Sequence, residues 1–251
     1  MKKAKTKKIP TQLKQLKTNS NNVFRLTTLR HQKRLEKINE IIEAWYSLMS
    51  FFFFKRNNKL AADILAEIYC SAVGGSISAL HGYYRAGFFY LRDMIELTRA
   101  GIYVKEKNLN SLDSLPKKRK LDPVIKNCSF IRKYNDWCIT KRAGEWHIEL
   151  GSLENDISKY AIHLGSEALN WQNAIPSYSR SEFCMFEGAF EDIAKDLLFL
   201  WILYDINSHT DNDAIKLLVS FWRMLYSFHR EYIKSEYKTI YNKMLSKKGG
   251  V

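Results

Sequence analysis

Residues 81–103, which read HGYYRAGFFYLRDMIELTRAGIY, decide the fold. Placed on a helix at about 100° per residue, they are apolar around most of the circumference, as expected of a helix at the centre of a bundle. Three arginines and a glutamate fall within about 40° of one line, which we call the arginine line. Its members are Arg85, Phe89, Arg92, Glu96, Arg99 and Tyr103, and His81 joins them if the helix continues through Gly82.

The arginine line places charge on an otherwise apolar helix. A charge in a low-dielectric interior is unfavourable unless it is paired. Arg92 and Glu96 are four residues apart and can pair, whereas Arg85 and Arg99 need a helix C-terminus, a carboxylate elsewhere or a bound anion. A solvent-facing stripe would show the same spacing. The line uses arginine rather than lysine, however, and arginine favours bidentate, partly buried contacts.

The rest of the chain predicts an all-α fold. It has only 11 glycines and 4 prolines in 251 residues, too few for a turn-rich β protein. We predict one helical domain over 23–251, a bundle of about six or seven helices. The predicted helices span 23–54, 59–78, 80–104, 124–135, 152–164, 181–206 and 211–245.

Two points of the fold stay open in the sequence. Gly74, Gly75 and Gly82 fit either kinks or close helix packing, so 59–104 is one bent helix or two. The alternation of Trp146, Ile148 and Leu150 predicts a small β-hairpin near 137–150.

Cysteine usage and hydropathy indicate a cytoplasmic protein. The four cysteines form no C-x-x-C pair, and the basic N-terminus lacks the apolar core of a signal peptide. No apolar run reaches the roughly 18 uncharged residues that a membrane helix needs. Phosphate-loop and zinc-site patterns are absent, and helix capping explains His209, Asp211 and Asp213. We therefore expect no cofactor, no metal and no membrane.

The formal net charge of +14 is concentrated in two places. Residues 1–22 are lysine-rich and are predicted to form a disordered basic tail. A second cluster follows Pro116. Both suit a phosphate backbone or an acidic protein surface, although a solvated tail and loop would look the same. The predicted nucleic-acid contacts are Lys2, Lys3, Lys5, Lys7, Lys8, Lys117, Lys118, Arg119 and Lys120, with Arg85 and Arg99.

His163 is the strongest candidate for proton transfer. On the predicted helix it shares a face with Asp156 and Lys159, and next to an arginine and a phosphate it would act as a general acid or base. A helix-end histidine bonded to the backbone is the simpler alternative.

The block 82–103 and the segment Ser158 to His163 together resemble bacterial HEPN-like helical domains, which occur in phage-defence and toxin–antitoxin systems. That resemblance implies a core of four or five helices, a homodimer and, in active members, metal-independent RNA cleavage. Arginine would stabilise charge on the transition state, and histidine would move a proton. It assigns catalysis to His163, Arg92 and Glu96.

The chain departs from the HEPN-like pattern in its Arg–His spacing. An arginine four to six residues before a histidine occurs at Arg25–His31, Arg142–His147 and Arg223–His229, and none of these pairs includes His163. We therefore expect an RNA-binding effector that is a candidate endoribonuclease. The alternative is a non-catalytic accessory subunit that binds nucleic acid or protein.

Overall fold

The computed structural model confirms the all-α class. It describes residues 11–55, 59–142, 144, 151–152, 154–158, 175–208, 216–217, 220–239 and 242. These parts of the chain contain no strand. They hold more helices than the predicted six or seven: α1 Thr11–Arg30, α2 Gln32–Lys55, α3 Lys59–Leu80, α4 Tyr84–Lys107, a 3-10 turn Leu112–Ser114, α5 Lys118–Asn127, α6 Ser129–Thr140, α7 Arg180–Ser208 and α8 Ser227–Glu236.

Helices α3 and α4 form an antiparallel pair at the centre of the fold. The chain reverses between them at Gly82, whose φ of +82° is in the left-handed region that favours glycine. A Cβ on Gly75 would lie 3.3 Å from the Gly87 carbonyl oxygen, so the two backbones pack closely at these glycines. Residues 59–104 are therefore two helices, and His81 lies in the turn rather than on the arginine line.

Helix α7 completes the core with side chains that are almost entirely buried. It contacts α4 where the rings of Phe186 and Trp201 fill the space beside Gly87 and Gly101. It contacts α2 where Trp45 Nε1 donates to the Ala194 carbonyl at 3.2 Å. Helices α2, α4 and α7 therefore run in one direction, and α3 runs in the other.

The N-terminal region differs from its prediction. Residues 11–22, predicted to be disordered, form the first turns of α1, and residues 1–10 lie outside the described part of the chain. No glycine or proline interrupts 11–30, and Ser20 Oγ lies 2.7 Å from His81 Nδ1, which ties α1 to the α3–α4 turn. The predicted helix 23–54 is interrupted at His31, between α1 and α2.

The predicted hairpin is wrong where the structure describes it. Residues 137–140 are the last turn of α6, where Trp137 packs against Phe228 at 4.7 Å between ring centroids. Residues 143 and 145–150 lie outside the described residues. The predicted helix 124–135 is two helices that meet at Cys128, and a turn over 222–226 breaks the predicted helix 211–245.

Among the described helices, only α3 is long and apolar enough to cross a membrane, when two charged residues are allowed within the span. More than half of that span is buried against the rest of the fold. Its packing on α4 explains this apolar composition as that of a core helix.

Candidate functional site

The predicted pairing on the arginine line is confirmed. Arg92 Nε donates to Glu96 Oε1 at 2.9 Å, and both side chains are partly exposed, at 27% and 44%. Arg85 is half-buried on the first turn of α4. The line is therefore a partly solvated strip of α4, and its central charges neutralise each other.

Arg99 has its acceptors inside the protein. It is 7% exposed and forms an ion pair with the buried carboxylate of Glu154, in the helical segment 154–158. Its Nε lies 4.0 Å from Asp122 Oδ1 on α5. The carboxylate alternative thus accounts for the Nη1 end of Arg99, whereas Nε has no hydrogen-bond acceptor among the described residues. The guanidinium is buried, and the predicted contact between Arg99 and phosphate stays a prediction.

A cleft of about 300 Å³, which we call the α4 cleft, runs beside the arginine line. It lies between α4 and the chain around the start of α5. Ser71 Oγ donates to Asp93 Oδ2 at 2.7 Å and fixes one of its walls. The lining residues are Asp93, Glu96, Leu97, Arg99, Ala100, Leu115, Pro116 and Leu121.

Several predicted site residues lie outside the described part of the chain. His163 is one, so its proximity to Arg92 and Glu96 stays a prediction. The others are Lys2, Lys3, Lys5, Lys7 and Lys8. Of the second basic cluster, Lys117 and Lys120 are exposed at the start of α5, and Lys118 and Arg119 are placed by their backbone in the same turn.

The structure places Arg223 and His229, one of the three Arg–His pairs, in different environments. Arg223 is exposed, whereas His229 is 2% exposed. His229 Nδ1 lies 2.8 Å from the Tyr134 hydroxyl and Nε2 lies 2.7 Å from Asp196 Oδ1, so both ring nitrogens are used inside the core. His147, of the pair Arg142–His147, lies outside the described residues.

His31 is different, because it brings together residues from three helices. It fills the break between α1 and α2, is 7% exposed, and places Nε2 3.0 Å from the Tyr178 hydroxyl. Arg30 lies over the Tyr178 ring at 4.9 Å, and Arg34 pairs with the buried Glu187 on α7. We call this group the junction cluster: Arg30, His31, Arg34, Tyr178, Arg180 and Glu187.

The junction cluster is electrostatically positive. Burial lowers the pKa of His31, and the nearby Arg34 and Arg180 lower it further, against the opposing effect of Glu187. Three guanidiniums thus act on one imidazole, with one carboxylate to offset them. Helix α7 also begins here, and its N-terminus favours negative charge. An anion at this place would be stabilised from several directions.

Helix α1 extends this positive surface. It buries only Val23 and Thr27, and it carries four basic residues and no acidic one. Lys14, Lys17 and Arg25 are exposed and fall within about 80° of one another around the helix. Residues 1–35 contain eleven Lys and Arg, and the first acidic residue is Glu36. We call the stripe formed by Lys14, Lys17 and Arg25 the α1 basic face.

The junction cluster was missed in the sequence because its parts are far apart. His31 and Tyr178 are 147 residues from each other along the chain. The available signal was the run HQKR at 31–34 within a segment that lacks acidic residues.

Comparison with family models, curated proteins and solved structures found no match to this chain. The HEPN-like resemblance therefore rests on the short sequence patterns alone.

Proposed function

We propose that this protein binds single-stranded RNA along the α1 basic face and the junction cluster. The observation that carries this is the absence of any acidic residue before Glu36, combined with a first helix whose lysines and arginines face solvent. A protein that neutralises phosphates with lysine and arginine releases condensed counterions, and this release drives binding.

The junction cluster suits a backbone phosphate. Arginine presents its donors in a fixed fork that matches phosphate oxygens, and Arg30 and Arg180 are exposed. The start of α7 adds the positive end of a helix dipole. This combination supports a phosphate held at a fixed position and further phosphates held loosely along α1.

An exposed aromatic ring beside these charges favours a single strand over a duplex. Phe24 is 41% exposed and stacks on His81 at 4.9 Å, next to the α1 basic face. Unpaired bases stack on such rings, whereas the bases of a duplex are already stacked.

Binding comes first in this proposal, and cleavage is the further step that the HEPN-like resemblance implies. Binding alone corresponds to the accessory-subunit alternative. Cleavage without metal predicts that a labelled RNA is degraded in the presence of a chelator, and that His163→Ala and Arg92→Ala abolish degradation while remaining folded. Degradation that persists in both variants would reject this assignment of catalytic residues.

Fluorescence anisotropy with a labelled single-stranded RNA tests the binding proposal. Lys14→Gln, Lys17→Gln and Arg25→Gln are combined in one variant, which we call the α1 variant, and binding is followed between about 50 and 200 mM salt. We expect weaker binding and a salt slope that is shallower by about 2, because each lost contact with a single strand removes about 0.7 from the slope.

A control variant matches the charge change elsewhere. Lys59→Gln, Lys126→Gln and Arg132→Gln remove the same three charges from exposed positions on α3, α5 and α6. Binding should be nearly unchanged. Equal losses in the two variants would show that net charge alone attracts the RNA, and the proposed surface would be rejected.

A further inference from the structure

The α4 cleft takes no part in the phosphate contacts proposed above. Its volume of about 300 Å³ is at the lower end of the range for small-molecule sites, roughly 300–1,000 Å³. Five lining side chains are apolar and three are charged. Apolar walls with a few convergent polar groups fit a flat organic ligand with a small number of hydrogen-bonding atoms.

Two carboxylates supply acceptors to the cleft. The Ser71 hydroxyl donates a hydrogen bond to Oδ2 of Asp93, and Arg92 donates one to Oε1 of Glu96. Within the described part of the chain, the other oxygen of each carboxylate accepts no hydrogen bond. Both residues are only partly buried, so these oxygens are available to N–H donors of a ligand.

Arg99 supplies hydrogen-bond donors, in contrast to the two carboxylates. Its Nη1 pairs with Glu154, but its Nε donates no hydrogen bond to a described residue and lies too far from Asp122, at 4.0 Å. A guanidinium that is more than nine-tenths buried and incompletely bonded thus forms part of the wall. The ligand should therefore offer acceptors as well as donors.

We propose that the α4 cleft binds a guanine base. Guanine carries N–H donors on its Watson–Crick edge for a carboxylate, and O6 and N7 acceptors for an arginine. Its flat faces suit walls made by Leu97, Leu115 and Leu121. Adenine and the pyrimidines do not combine adjacent donors with two acceptors in this way.

This inference rests on the proposed function and makes it more specific. The α1 basic face and the junction cluster hold the backbone of the RNA without regard to sequence. The α4 cleft then selects a guanine, as base contacts do when phosphate contacts fix only the position of the strand.

Calorimetric titration of the full chain with nucleosides tests the inference without any phosphate. We expect guanosine to bind at least about tenfold tighter than adenosine, cytidine or uridine. Inosine, which lacks the N2 amine, should bind more weakly than guanosine. Asp93→Asn removes an acceptor, and Ala100→Leu fills the cleft. Each should lower guanosine affinity by at least about tenfold, with thermal unfolding to confirm that the fold is kept.

Several results would overturn the guanine assignment. The assignment fails if guanosine does not bind, if all four nucleosides bind equally, or if both variants keep the affinity of the original protein for guanosine. It also fails if benzylamine binds as tightly as guanosine, because the cleft would then be a site for aromatic cations. The α1 variant separates the two proposals, because it should bind guanosine normally and RNA weakly. If guanosine does not bind but RNA binding still depends on the α1 basic face, only the cleft proposal is rejected. If guanosine binds but RNA binding does not depend on the α1 basic face, only the proposed RNA surface is rejected.

Discussion

The arginine line of α4 and the basic region at the α1–α2 junction use the same side chains in opposite ways. On α4, Arg92 is paired with Glu96 and Arg99 with Glu154. At the junction, three arginines act on His31, and among the described residues Glu187 is the carboxylate that opposes them. Arginine content alone therefore does not mark a binding surface. What distinguishes the two regions is whether the fold supplies enough carboxylates to neutralise the arginines.

The difference has an energetic consequence. A buried ion pair makes the structure depend on both partners, because removing one leaves a charge in the interior. Exposed cations can be removed with little effect on stability, and their loss appears in binding instead. Stability and binding should therefore respond to mutations in different regions.

The largest effect is expected for Arg99→Met. It leaves the buried Glu154 carboxylate without its guanidinium, and we expect the free energy of unfolding to fall by about 3–5 kcal/mol. Urea denaturation measures this change. The double variant Arg99→Met, Glu154→Met should recover most of the loss. A decrease of less than about 1 kcal/mol in the single variant would show that the pair is solvated.

The next effect concerns the junction. Arg30→Gln combined with Arg180→Gln should weaken RNA binding by at least about tenfold, because each hydrogen bond to a charged group contributes about 1.5–3 kcal/mol. The free energy of unfolding should change by less than about 1 kcal/mol, since both side chains are exposed. Anisotropy and urea denaturation of the same protein give both values. A large loss of stability with unchanged RNA binding would show that these two arginines stabilise the fold and do not bind RNA.

A smaller effect is expected from pH. The pKa of His31 is lowered in the folded protein, so below pH 6.5 the unfolded chain binds the proton more readily than the folded one. Stability should fall as pH decreases through 6.5, and the loss is complete below the lowered pKa. His31→Gln should show a weaker pH dependence between about pH 8 and pH 5. An equal pH dependence of stability in both proteins would show that His31 does not cause it.

The smallest effect is expected for Arg92→Gln. Its pair with Glu96 is an i,i+4 contact with both side chains partly exposed, and such pairs contribute about 0.3–0.5 kcal/mol. Thermal unfolding should therefore be nearly unchanged. A substantial destabilisation would mean that the exposed part of the arginine line is as integral to the fold as Arg99.

The long helices were the predictable part of the fold. Apolar periodicity placed α3, α4 and α7 to within a few residues, because their buried faces are determined by local spacing. The break at His31 was not predictable in this way. His31 N still bonds to the Thr27 carbonyl at 3.0 Å, so the chain continues almost as a helix and the pattern barely changes.

The site was less predictable than the fold. The Arg92–Glu96 pair follows from helical spacing, but the partner of Arg99 lies 55 residues further along the chain. The junction cluster likewise depends on how α7 packs against α2. Spacing identifies contacts within one helix, whereas contacts between helices depend on the tertiary arrangement.

The most direct test of the central claim is a lysine-modification footprint of the protein with and without single-stranded RNA, read by mass spectrometry. If the junction region is the binding surface, Lys14, Lys17 and Lys33 become protected, while Lys59 and Lys126, which are also exposed, react as before. Uniform protection of all five, or protection confined to Lys59 and Lys126, would contradict it.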